Sequence, residues 1–272
     1  GKYLGIPEQF GRKKTENLEY VVATVKAKTN GWHHRFLSSG GKDVLTKSIA
    51  SATPVYPMNV FKMPKKVCDD INNTLAQFWW GKSDGSKGMH WFAWQRMSLP
   101  KKEGGMGFRD FEKFNDALLA KQVWRILIKP NSLMARVLKG KYFPNSNILK
   151  AGTKKQSSYI WNSLLHGQAL LKRGLRFIIG NGESVSLWAD PWLPTSPPRA
   201  PIPKDQSNPM TKVSELMKQN QTGWNEELIR HTIVEADAEE ILSMKLCAYA
   251  DTDPLVWHYN KSGEYSVKSG YW

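Results

Sequence analysis

The sequence predicts a mainly helical α+β fold, and three features predict it. The run from Phe111 to Ile128 holds no Gly or Pro, lies between the Gly104-Gly105-Met106-Gly107 turn and Pro130, and has Asp110 before it as an N-cap. Three amphipathic stretches with short connections precede it, the pattern of a small helical bundle. Two runs of strand formers, 177–188 and 255–267, are each interrupted by turn residues and read as β-hairpins, with Asn181-Gly182 the strongest turn signal in the chain.

Taken in order, Lys2 to Pro7 reads as one short strand ended by its proline. Gly11, Arg12, Lys13 and Lys14 form a basic loop, either solvated or facing phosphate, and the residues weigh both readings equally. Thr15 caps a helix with Leu18, Val21, Val22, Val25 and Trp32 on one face and Glu16 and Glu19 near its positive end. Ser38 to Lys42 reads as a glycine loop whose amides and lysine can cradle a phosphate, without the spacing of a nucleotide-hydrolysing P-loop. A second helix begins near Asp43, uses Val44, Leu45, Ile49 and Ala52, and breaks at Pro54 and Pro57. A third starts at Pro64, carries Val67, Ile71, Leu75 and Phe78 as one stripe, and ends at Gly81.

In the aromatic segment from His90 to Trp94, Trp91 and Trp94 offer stacking surfaces for unpaired bases, but aromatics at this density belong more often to a core. His90 has no second ligand at i+3 or i+4, so no metal site is expected there. In the central helix Phe111, Phe114, Leu118, Trp124, Leu127 and Ile128 spread around the circumference, the mark of burial on several sides. Lys121 and Arg125 lie four apart on it, as solvated heads over apolar stems or as nucleic-acid contacts; the helix alone favours the former. Asn131 to Lys139 continues helically, and Ser157-Ser158-Tyr159 leads into a helix with Ile160, Trp161, Leu164, Leu165 and Leu171. Asp190 reads as a turn cap, since it lacks the positioned partner that acid–base work requires. Residues 194–209 hold six prolines and read as a semi-rigid linker. Beyond it, 213–217 and 225–233 read as helical, followed by a solvated acidic face at Glu235, Asp237, Glu239 and Glu240. The expected division is 1–81, 82–193, the linker 194–209, and 210–272 as the start of a further module.

Charge is uneven. The net charge is +15, yet residues 1–150 carry 26 Lys and Arg against 11 Asp and Glu, while 151–272 carry 13 against 13. A basic half beside a neutral one points to a polyanion-binding surface. Cys68 and Cys247 make neither a disulfide framework nor a CxxC metal pair. No apolar run approaches the ~20 residues of a membrane span, so no membrane partner is expected. The opening GKYLGIP, without Met or a signal pattern, reads as the start of an internal fragment.

The segment GGMGFRDFEKFNDALLAKQVWR, with KYLGIP at 2–7, LSSGGKDVLTKSIASATPVYPM at 37–58, FWWG at 78–81, HWFAW at 90–94, LWADPWLP at 187–194 and YSVKSGY at 265–271, resembles plant non-LTR (LINE-type) retrotransposon reverse transcriptase-like proteins in the region after the palm. The resemblance covers nearly the whole chain, and seven blocks in order make it specific. It implies that KYLGIP belongs to the primer-grip hairpin, with Lys2 and Tyr3 against the primer end. It further implies that the helical bundle is thumb-like, closes on template–primer RNA and DNA through Arg35, Lys42, Lys47, Lys62, Lys65 and Lys66, and leads into a helical connector. With Arg12, Lys13, Lys14, Lys121 and Arg125, these residues are the candidate nucleic-acid contacts. The family's (F/Y)ADD polymerase motif is absent, and YADTD at 249–253 lies far from any palm. No catalytic residue, metal or cofactor is therefore expected in this chain; the parent polymerase would use Mg²⁺ in its palm domain. The chain stops at Trp272, before the zinc ligands that follow YSVKSGY in the family. Three functions are open: the template–primer-holding part of a LINE-like RNA-directed DNA polymerase, inactive alone; a stand-alone retroelement-derived RNA- or DNA-binding module; or an inert remnant. The compartment expected is intracellular, the nucleus first and an organelle second.

Overall fold

A computed structural model of the chain describes residues 2–3, 6–7, 14–33, 37–81, 88–205, 208–218, 223–246 and 251–272. The fold is mainly helical α+β. Two compact units emerge, residues 1–169 with 271–272, and residues 170–270. This differs from the division expected from composition at 81, 193 and 209.

In the first unit, β1 (Lys2–Tyr3) and β2 (Ile6–Pro7) pair antiparallel, Lys2 opposite Pro7 and Tyr3 opposite Ile6, where the residues alone suggest a single strand and the resemblance a hairpin. Helix α1 (Lys14–His33) begins one residue before Thr15, which therefore lies in its first turn and does not cap it. Leu18, Val21, Val22 and Val25 are buried, and α1 packs along α4 (Lys65–Trp80), whose stripe of Val67, Ile71, Leu75 and Phe78 is also buried. Trp32 meets Phe78 edge-on at 5.5 Å.

Between them α2 (Ser39–Leu45) starts earlier than expected, because the Ser38 hydroxyl accepts from Gly41 N and holds the glycines in the first turn of the helix. The next residues widen to a five-residue hydrogen bond, Ser51 N donating to Thr46 O at 3.0 Å. Such a turn rotates the faces that follow it. Val44 and Ile49, read as apolar anchors, are 62% and 40% exposed, while Thr46, Ala50 and Ser51 are buried. The short α3 (Val55–Met58) and α5 (Trp94–Met97) flank α4 in sequence. Trp94 is core, stacked on Phe108 at 5.1 Å, whereas Trp91 is 70% exposed.

Helix α6 (Phe111–Ile128) has the expected bounds, and Asp110 caps it by accepting from Glu112 N and Lys113 N. Its Asn115 is fully buried: Nδ2 donates to Met58 O and Phe61 O, and Oδ1 accepts from Met63 N at 2.7 Å. That side chain fixes the loop entering α4, satisfying backbone groups that would otherwise be buried unpaired. Helix α7 (Leu133–Tyr142) runs from a Ser132 cap and ends three residues beyond Lys139. Helix α8 (Tyr159–Lys172) meets α6 at Gly167, where a Cβ would sit 2.4 Å from Ala120 N, so only glycine allows this approach. Trp161 is fully buried beneath Tyr142, rings 4.3 Å apart.

In the second unit, β3 (Leu175–Phe177) pairs with β4 (Leu255–Trp257), Leu175 opposite Trp257 and Phe177 opposite Leu255. Neither predicted hairpin forms. The Asn181-Gly182 turn is made, with Gly182 at φ +69°, but its flanks bond elsewhere: Val213 N donates to Val185 O and Leu187 N to Thr211 O. After β4 the chain turns at Gly263 and enters α11 (Val267–Tyr271). The segment read as helical at 213–217 is one 3₁₀ turn, Val213–Leu216; α9 (Glu226–Thr232) and α10 (Glu235–Ser243) follow.

The proline-rich stretch is a built part of this unit and not a linker. Leu193 bridges Arg199, Pro203 bridges Ile233, Lys204 N donates to Thr232 O, and Ile202 N to Asp237 Oδ2. Proline fixes φ without needing a donor, which suits the edge of such irregular pairing. Nearby Trp192 is fully buried, its Nε1 donating to Leu187 O, and it stacks on Trp224 at 6.0 Å. Among the described residues no helix is long and apolar enough to cross a membrane.

Candidate nucleic-acid interface

An open cleft of about 660 Å³ lies between the start of α1, the entry to α4 and one face of α8. Lys14, Lys62, Lys66 and His166 line it, with Glu16 and Glu19 on the α1 wall. Tyr159, Asn162, Ser163 and His166 fall at i, i+3, i+4 and i+7 and so share one helix face. Lys14 Nζ stands 4.5 Å from the centroid of the Tyr159 ring. The Tyr159 hydroxyl donates to Lys62 O, and burial pushes its phenol up to about 12, so it stays a neutral donor. Ser163 Oγ accepts from Lys62 N at 2.8 Å. Asn162 Oδ1 is buried without a partner, an acceptor presented in the cleft wall.

The N-terminus of α4 opens beside this cleft. Pro64 provides no side-chain cap, and no acid stands in the first turn. Lys65 and Lys66 are exposed there and have no ion-pair partner among the described residues. Two cations at the positive end of a helix dipole repel it, and an external anion relieves that repulsion.

Only part of the expected set comes together. Lys14, Lys62, Lys65 and Lys66 gather at this end of α4. Lys62 is also tied to Asp116, Nζ to Oδ1 2.7 Å. Lys42 is elsewhere: its Nζ donates to Trp79 O and Gly81 O, capping the far end of α4, about 24 Å away at 1.5 Å per residue. Burial lowers its pKa. The phosphate-cradling loop read at Ser38–Lys42 is thus a helix start plus a C-cap. Lys47 pairs with Asp43 at 2.7 Å. Arg125 donates to Gln122 Oε1 and lines a separate apolar groove, while Lys121 is half-buried on the same helix. Arg12, Lys13 and Arg35 lie outside the described residues, as do the side chains of Lys2 and Tyr3. The α8 face was legible as a polar stripe at helical spacing; Asn162 and His166 were missed because residues lacking a fixed charge stand out little in a sequence.

The units differ sharply in charge. The first carries 28 Lys and Arg against 11 Asp and Glu, a net +17; the second carries 11 against 13, a net −2. In the second unit the carboxylates serve the fold. Asp253 accepts from Gly180 N, Gly182 N, Ser184 N and Ser184 Oγ, at 2.7 to 3.1 Å. Burial alone would raise its pKa, but these bonds outweigh it and hold it below the usual range. Asp237, read as solvated, is buried and grips Arg199 bidentately at 2.6 and 2.8 Å. Asp190 accepts from Ser186 N as a turn cap. Among the described residues no three His, Cys, Asp or Glu groups gather as a metal site requires.

No family model matches the chain. It is 39% identical over 152 residues to the uncharacterized mitochondrial protein AtMg00310 of Arabidopsis thaliana, covering 56% of this chain and 99% of that protein. It is 28% identical over 261 residues to the Arabidopsis thaliana protein named "Putative ribonuclease H protein At1g65750", covering 92% of this chain and 41% of that one. The chain thus spans about two fifths of the second relative's length. Such relatives are typical of plant retrotransposon-derived reading frames. The chain belongs to the family of the mitochondrial protein AtMg00310.

Proposed function

We propose that the chain holds nucleic acid as the post-palm, thumb-like part of a LINE-like reverse transcriptase, and that the first unit makes the contact. One observation carries this: Lys14, Lys65 and Lys66 converge on the uncapped N-terminus of α4, within a unit of net charge +17. The partner is a duplex or hybrid backbone, read with little sequence preference, because phosphate contacts carry no base information. The chain binds without catalysing; polymerisation belongs to a palm and its Mg²⁺. The engaged carboxylates of the second unit support that division of labour, since groups saturated by amide donors are poorly suited to hold a metal.

A second reading, the stand-alone module, has its own support. A relative named as a mitochondrial protein is matched over 99% of its own length by 56% of this chain. An organelle is then the compartment to examine first.

The test uses the full chain, labelled RNA–DNA hybrid and duplex DNA, and fluorescence anisotropy over a salt series. Lys14→Gln, Lys65→Gln and Lys66→Gln together are expected to lower the salt slope by close to three and weaken both ligands alike. Lys245→Gln with Lys261→Gln, exposed in the second unit, is expected to change neither. Parental affinity and slope in the triple variant would reduce the cleft to a solvated surface.

A further inference from the structure

Helices α3, α6, α7 and α8 border a second depression of about 810 Å³, separate in composition from the basic cleft. Its lining includes Leu133, Met134, Val137 and Leu138 of α7, Ile160 of α8 and Tyr56 of α3. Leu133 is 76% exposed, Val137 60% and Tyr56 51%, so the first unit leaves a continuous apolar face uncovered. We infer that this groove docks a protein partner through an amphipathic helix with apolar residues on one face and Asp or Glu on its flanks.

Three features select that occupant. The first is chemical. The polar groups of the groove satisfy one another: Gln122 Nε2 donates to Asn59 Oδ1 at 3.1 Å, Asn59 Nδ2 to Val55 O at 2.8 Å, and Arg125 Nη1 to Gln122 Oε1 at 3.1 Å. What remains to be covered is chiefly aliphatic, with the Tyr56 ring and the Arg125 guanidinium beside it. A nucleic-acid base would find one aromatic ring to stack on, whereas a Leu-rich helix face would find matching side chains. The second is shape. Helix α7 is 10 residues long, about 15 Å, which matches roughly three turns of a partner helix laid along it. The third is charge. Residues 117–169 hold nine Lys and Arg and no Asp or Glu. Arg125 lines the groove, and Lys129 follows it by one turn, exposed and without an ion-pair partner among the described residues. A cationic edge beside an apolar floor favours an acidic helix and repels a basic one.

The experiment uses the full chain and an 18-residue fluorescent peptide with Leu at i, i+3, i+4 and i+7 and Glu elsewhere. Its controls are a scrambled peptide and one with Lys for Glu. The acidic peptide is expected to bind saturably and the controls not to. Met134→Asp with Val137→Asp alters only exposed surface, and is expected to weaken binding about tenfold or more with unchanged circular dichroism. Lys129→Gln is expected to weaken binding less and to lower its salt dependence. Affinity for duplex nucleic acid, read in parallel, is expected to be unchanged in the groove variants, which separates this inference from the proposal above. Failure of the acidic peptide to bind, or equal binding by the aspartate variant, overturns the inference. So does loss of duplex binding in that variant, which would make the groove part of the nucleic-acid surface. Sedimentation of the parent as a dimer that the aspartate variant dissolves overturns it too, because the occupant would then be a second copy.

Discussion

The two units use charge in opposite ways. In the second, acids and bases meet internally: Asp253 gathers three amides and a hydroxyl, Asp237 holds Arg199, and Arg230 reaches Glu226, Glu235 and Glu239. Its elements are short, and side-chain bonds to backbone do much of the joining. In the first, long helices bury apolar stripes and need little polar help, so its basic residues are left over on the surface. Lys42, Lys47 and Lys62 have partners, while Lys65, Lys66, Lys129, Arg136 and Lys139 have no ion-pair partner among the described residues. Surplus charge is thus confined to the first unit, which is where the proposed contact is to be tested.

The strongest way to break this comparison is to remove the carboxylate the second unit depends on most. Asp253→Asn turns an acceptor into a group whose NH₂ faces amide donors, and is expected to cost about 3 kcal/mol. The effect should appear as faster hydrogen exchange across 175–187 and 251–257, with nucleic-acid affinity unaltered. The folded pKa of Asp253 is depressed, so its contribution is complete above the unfolded carboxylate value near 4 and is lost as pH falls through the lower folded value. Asp237 is depressed for a related reason, its bonds from Arg199. Acid unfolding of this unit should therefore begin below about pH 4, and the variant should lose that dependence. An unchanged exchange pattern would mean the nest contributes little.

A smaller effect is expected at the proline-rich stretch. Asp237→Asn leaves Arg199 without its bidentate partner, at about 2 kcal/mol; the figure sits below that for a fully buried pair because Arg199 is 42% exposed. In the parent, trypsin should cut slowly after Arg199 and Lys204, whose backbones are bonded, and the variant should be cut there first. Early parental cleavage at those bonds would restore the linker reading.

These two sites mark where the sequence was legible and where it was not. Helix α6 could be read to the residue, because its cap, its uninterrupted run and its stop are all local. The stripe of α4 was equally plain. The strands were not, since β3 pairs with β4 some eighty positions on, and the Asn181-Gly182 signal reports a turn without saying what its flanks bond to. Six prolines look like a linker to composition, which cannot see Pro203 bridging Ile233. At the cleft, Lys14, Lys65 and Lys66 were found by their charge. That Lys42 caps α4 was hidden, because its acceptors lie 37 and 39 residues away. The Lys47–Asp43 pair, at i and i+4, was available to inspection.

Lys42 sharpens the distinction between a cation that builds the fold and one free to bind. Lys42→Gln loses charge-assisted bonds to two C-terminal carbonyls of α4, and is expected to cost about 1 kcal/mol. Because that charge is already engaged, the salt slope of nucleic-acid binding should stay at the parental value. A slope lowered by close to one, with stability unchanged, would move Lys42 into the contact set and restore the phosphate reading of Ser38–Lys42.

The smallest change in stability should come with a clear change in binding, and with the opposite sign. Lys65 and Lys66 occupy the first turn of α4, where the dipole is positive and neither an acid of that turn nor a side-chain cap offsets it. Replacing both by Gln removes two unfavourable charges and is expected to raise stability by about 0.5 kcal/mol at low salt, an advantage that fades as salt screens the dipole. Each lost phosphate contact lowers the salt slope by about 0.9, so the pair should lower it by about 1.8. Urea unfolding and anisotropy on the same preparation measure both. A residue kept for the fold would show lost stability, and one kept only for solubility would move neither reading. Gain in one and loss in the other is what a helix end held ready for a phosphate requires. If the variant is less stable, or the slope does not move, the surplus charge of the first unit has no anion to meet at this end of α4.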